Sequence, residues 1–62
     1  MKIMKKVCEI KYKDLKVGDY FRIKREKGKE TYCKKEFSFY DIVSKQEYRR
    51  LWGGTICIKV EL

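Results

Sequence analysis

Histidine and proline are missing altogether from this 62-residue chain, and cysteine occurs only three times. Without histidine the most versatile general base and the commonest metal ligand are gone. There is also no G-x-S-x-G turn, no phosphate loop and no distinctive pair of carboxylates, so no nucleophile with its base can be nominated and the chain is read as non-enzymatic, with no small-molecule substrate evident. Cys8, Cys33 and Cys57 are too far apart for a C-x-x-C knuckle, and a zinc site would need a carboxylate as its fourth ligand, so neither metal nor cofactor is expected. They read as small buried or half-buried thiols in a reducing compartment, with a bridge from Cys8 to Cys57 between terminal strands left open. No apolar run is long enough to span a bilayer, and MKIMKKVCEIKYK lacks the apolar stretch of a signal peptide, so a soluble, cytoplasmic protein with no membrane partner is expected. In the absence of proline, charge must protect the sheet edges.

What the chain does have is positive charge and aromatic rings. Seventeen Lys and Arg face nine Asp and Glu, for a formal net charge of +8. Residues 1–36 hold thirteen of the basic side chains and six of the acidic ones, so the front half carries most of the excess. Such a field attracts polyanions: nucleic acid, an anionic membrane or an acidic protein surface. Three Phe, five Tyr and one Trp supply rings that each remove ~150–250 Å² from water, and that is how a single domain of this length can build a core.

The hydropathy pattern is mostly β. Residues 3–12 form a first strand of uncertain register, and Gly18 with Asp19 bends the chain into a second, where Phe21 and Ile23 point one way and Tyr20, Arg22 and Lys24 the other. Arg25 to Glu30 is a polar hairpin loop in which Gly28 supplies positive φ, and residues 30–36 form the third strand. Phe37 and Phe39 share a parity that Tyr40 and Ile42 break, which predicts a bulge or strand break near Phe39 in the fourth. Ser44 and Glu47 stand in capping-box spacing, predicting a short helix over residues 45–52 that Gly53 and Gly54 end with a left-handed residue. In the last strand Ile56, Ile58, Val60 and Leu62 occupy one face, predicted to be inward, with Thr55, Cys57, Lys59 and Glu61 outward.

Two sets of residues are candidates for function. The first is a basic and aromatic sheet face on the second and third strands: Tyr20, Arg22, Lys24, Lys27, Lys29, Tyr32, Lys34 and Lys35. Its lysines would neutralise phosphates while its tyrosines offer flat faces to unpaired bases, a pairing suited to single-stranded DNA or RNA. No recognition helix for a duplex is present. The second set, Tyr48, Arg49, Arg50 and Trp52, is of the kind found at the centre of protein interfaces and would serve an acidic host protein whose activity the chain modulates. For a lone tryptophan the core is the favoured place.

The order of elements over residues 17–62, four strands, a brief helix and a last strand, resembles an SH3-like barrel of five strands with one short helix before the last. The stretch YKDLKVGDYF, Tyr12 to Phe21, is similar to the opening of small bacterial and bacteriophage-encoded proteins of unknown role. The resemblance implies a compact barrel and a bacterial or phage origin. It carries over no functional residue.

Overall fold

The computed structural model describes residues 5–26, 28 and 30–61, with side chains from residue 7 onward. Six strands form one antiparallel sheet: β1 Lys5–Lys11, β2 Tyr20–Ile23, β3 Tyr32–Lys34, β4 Ser38–Asp41, β5 Glu47–Arg49 and β6 Ile56–Glu61. Their order across the sheet is β1-β6-β2-β3-β4-β5, so the last strand enters between the first two and the sheet keeps open edges at β1 and β5. The all-β expectation holds. The closed five-stranded SH3-like barrel does not: the sheet has six strands and does not close.

The predicted helix over residues 45–52 is the largest correction. Asp41 accepts the amides of Val43 and Ser44 at 2.8 and 3.1 Å, and Lys45 takes the left-handed conformation at φ 64°. Together they turn the chain back so that residues 47–49 pair with β4, Tyr40 opposite Glu47 and Ser38 opposite Arg49. An eight-residue helix is marginal on its own, and here strand pairing supersedes the capping-box signal. The Glu47 carboxylate accepts from Ser38 Oγ at 2.8 Å and from Lys35 Nζ at 3.2 Å, never reaching a helix start.

Sheet pairing also settles which face of β6 is inside. Ile23 lies opposite Cys57 and Arg22 opposite Ile58, so once Phe21 and Ile23 commit to the core, Cys57 goes with them and Ile56 and Ile58 stay on the other face. Cys57 is fully buried, whereas Ile56 is 38% exposed. Val60 is buried on the outer face, opposite Tyr20, whose other neighbour is Cys33. The irregularity predicted near Phe39 is absent. β4 pairs regularly, Phe37 sits exposed in the turn before it, and the register shift falls in β1 between Lys6 and Cys8.

The core consists of Tyr12, Leu15, Phe21, Ile23, Tyr32, Phe39 and Cys57, with Ile10 and Leu51 packed against it. Its rings meet largely edge to face, Tyr32 on Phe39 at 5.1 Å and Phe21 on Phe39 at 5.6 Å, and each such pair adds ~0.5–1.5 kcal/mol beyond the area it buries. Tyr48 stacks on Phe39 at 5.4 Å and closes the β5 end of this cluster. Cys33 and Cys57 are buried free thiols and Cys8 is exposed, so the Cys8 to Cys57 bridge does not form. Burial pushes the Cys57 thiol up to about 11, which makes it a packing group. No helix among the described residues is long and apolar enough to cross a membrane.

Candidate nucleic-acid interface

The structure divides the first candidate set. Tyr20, Arg22 and Lys24 do share the outer face of β2, as their alternation predicts, but Tyr32 is 5% exposed and belongs to the core, its hydroxyl donating to Glu26 at 2.8 Å. Burial, then Glu26, pushes that phenol strongly up, and the buried ring offers no flat face. Lys34 and Lys35 point to opposite sides of the sheet. Lys27 and Lys29 lie outside the described residues.

Of what remains of the sheet face, Lys24 and Lys35 are neutralised from within and Arg22 is tied to the backbone. Lys24 pairs with Glu9 at 2.9 Å, Lys35 pairs with Glu47 at 3.2 Å, and Arg22 donates to the Gly28 carbonyl at 3.0 Å. The Glu47 carboxyl is held below its ordinary value by Ser38 first and by Lys35 next. Exposed pairs of this kind are individually worth only ~0–1 kcal/mol, but they cancel the local field that would attract a polyanion.

Unpaired cations gather elsewhere, around Trp52. The 3-10 turn Tyr12–Asp14 is tied to the loop before β6 by two backbone bonds, the Tyr12 amide to the Thr55 carbonyl at 2.9 Å and the Lys13 amide to the Gly53 carbonyl at 3.1 Å. A tight turn closed by the Thr55 amide on the Trp52 carbonyl at 2.9 Å then carries the indole. Gly54 lies beneath the ring: a Cβ there would stand 2.4 Å from it. Gly53 is similarly close to Lys13, at 3.2 Å. Both glycines therefore serve close approach, and Gly18 takes the left-handed conformation, at φ 93°. The left-handed cap expected at Gly53-Gly54 is not formed.

Trp52 is 79% exposed, contrary to the core placement expected of it. It forms part of two grooves. One, of about 400 Å³, is lined by Tyr12, Lys13, Lys34, Glu36, Arg50, Leu51, Trp52 and Gly53; the other, of about 490 Å³, by Lys24, Arg25, Trp52, Thr55 and Ile56. Lys34 reaches the first groove because the Gly18 amide binds its carbonyl and its amide binds the Asp19 carbonyl, while its ammonium donates to the Leu15 carbonyl and stands 5.1 Å from the Tyr12 ring centre. Among the described residues Lys13, Lys34, Arg50 and Arg25 have no carboxylate at ion-pair distance.

This arrangement joins Lys34 and Lys24 of the first candidate set with Arg50 and Trp52 of the second. Tyr48 is partly buried against Phe39, and Arg49 lies exposed on the β5 edge strand. Tyr12, Lys13 and Arg25 were missed; backbone bonds across some forty residues, with no local signature, bring Tyr12 and Lys13 to the Trp52 loop, and Arg25 shares a groove with the indole only through the fold. Comparison with family models, curated proteins and solved structures returned no match to the chain.

Proposed function

We propose that the chain binds single-stranded DNA or RNA without catalysing a reaction on it, with the Trp52 ring as the stacking platform and the cations of the two flanking grooves as phosphate partners. The observation that carries this reading is an exposed indole seated on Gly54 between Lys13, Lys34 and Arg50 on one side and Arg25 on the other. An apolar ring left in water is ordinary on a protein surface, but one flanked by unpaired cations matches what a base with its neighbouring phosphates requires. Stacking on an aromatic side chain contributes ~1–3 kcal/mol per base and tolerates any base, so little sequence preference is expected.

The test is anisotropy of a labelled oligothymidylate at several salt concentrations. Each phosphate neutralised should steepen the log-log salt slope by ~0.7, so engagement of two to four phosphates predicts a slope of roughly −1.4 to −2.8. Trp52→Ala should weaken binding about tenfold, from the ~1–3 kcal/mol that stacking supplies. An unchanged affinity in that variant would remove the platform. Absence of binding at low salt would remove the reading as a whole and leave an acidic host protein as the polyanion to look for.

A further inference from the structure

The groove beneath Trp52 contains a group that the stacking argument does not use. Tyr12 is 4% exposed, and its hydroxyl is sealed from solvent without a hydrogen-bond partner among the described residues. A buried hydroxyl left unsatisfied costs ~1–3 kcal/mol, and phenylalanine would fill the same core position without that cost. Burial pushes the phenol up, while the Leu51 backbone and the Arg50 guanidinium act in the opposite direction. Both residues line the groove.

From these observations we infer that this groove is a phosphate subsite, in which Lys13, Lys34 and Arg50 surround one phosphate and the Tyr12 hydroxyl donates to one of its oxygens. The inference rests on the nucleic-acid reading for the source of the phosphate but not for the chemistry of the pocket. Three cations against the single carboxylate of Glu36 leave the groove net positive. Lys34 keeps two of its three protons after serving the Leu15 carbonyl. Arg50 is exposed and, among the described residues, makes no hydrogen bond or ion pair, so its fork is free to swing aside, admit the anion and close on it. The phosphate would sit beside whatever base stacks on Trp52, either as the 5′ end of a strand or as an internal linkage.

Tyr12→Phe separates ligand chemistry from folding, because it removes only the hydroxyl. The variant should be as stable as the parent or more so, since the unsatisfied group is gone. Its affinity for inorganic phosphate, followed by amide shifts of Leu51 and Gly53 at constant ionic strength, should fall roughly tenfold. Arg50→Gln should weaken phosphate binding in the same assay. Equal phosphate binding by the parent and Tyr12→Phe, or no shift at these amides in the parent, would overturn the subsite. Comparing hexathymidylate with and without a 5′ phosphate distinguishes the two sources: a Tyr12→Phe penalty confined to the phosphorylated oligomer marks a terminal phosphate, and an equal penalty for both marks an internal one. If oligomers bind and quench Trp52 identically in both proteins, the subsite fails and the stacking platform stands. If phosphate binds but no oligomer does, the platform fails and the subsite stands.

Discussion

Two sets of aromatic rings show how differently this chain uses the same chemistry. Phe21, Phe39, Tyr32 and Tyr12 surround one another at 5.1–6.1 Å and are at most 5% exposed, so their rings hold six short strands together. Trp52, the largest apolar side chain of all, stands on a glycine turn with most of its surface in water. The cations divide in a similar way: on the outer sheet face Lys24 and Lys35 are tied to Glu9 and Glu47, whereas Lys13, Lys34, Arg50 and Arg25 around Trp52 have no carboxylate at ion-pair distance among the described residues. Folding consumes one set of rings and charges and leaves the other available.

The most severe way to test this division is to truncate a ring from each set. Phe21→Ala should cost ~3–5 kcal/mol, enough to unfold most of the population of so small a domain, whereas Trp52→Ala should move stability by no more than ~0.5 kcal/mol. Urea denaturation followed by far-ultraviolet circular dichroism measures both. A large loss in the Trp52 variant would mean that the indole is structural after all.

Charge reversal sharpens the same contrast. Lys13→Glu with Arg50→Glu should reduce oligothymidylate affinity by well over tenfold, while Lys24→Glu with Lys35→Glu, which replaces cations already paired, should reduce it less. A reversed order would return the binding face to the outer side of β2 and β3.

Gly54→Ala is a smaller and more local perturbation. The added methyl would occupy the place of the ring, so Trp52 must swing away, which should change its emission maximum and weaken oligonucleotide binding a few-fold. Because an exposed side chain absorbs the clash, the melting temperature should change little. An unchanged emission spectrum would show that the ring does not rest on the turn.

The smallest effect is the alkaline response of the core. Burial raises the Cys57 thiol from an ordinary 9.0 to about 11, so between those values the folded chain retains a proton that the unfolded chain releases. Stability is therefore at its full value below about 9 and falls as pH rises toward 11. The raised Tyr12 and Tyr32 phenols act with the same sign at higher pH. Cys57→Ala should flatten the first part of that decline in urea midpoints measured at pH 8, 9 and 10, and an unaltered slope would count against a buried thiol.

Much of the architecture was legible in the residues. The alternation of Tyr20 to Lys24, the bend at Gly18 and the β character of residues 32–34 and 56–61 follow from local pattern, because side-chain parity and turn chemistry act within a few positions. What was not legible depends on partners far along the chain. Ser44 and Glu47 do have capping-box spacing, but Asp41 takes the amides and β4 takes the strand. Ile56 and Ile58 make the more apolar side of β6, yet pairing with β2 turns Cys57 inward. The site suffered in the same way: Lys34, Arg50 and Trp52 were each singled out, but in two separate constellations, and only the bonds from Tyr12 and Lys13 to the loop before β6 bring them together.

The most direct test of the Trp52 platform uses the indole itself. As the single tryptophan, its emission reports on one place in the molecule, and titration with oligothymidylate at low salt should quench it in a saturable manner that added salt reverses. Emission that stays constant while anisotropy shows the oligonucleotide bound would place the contact elsewhere and contradict the account.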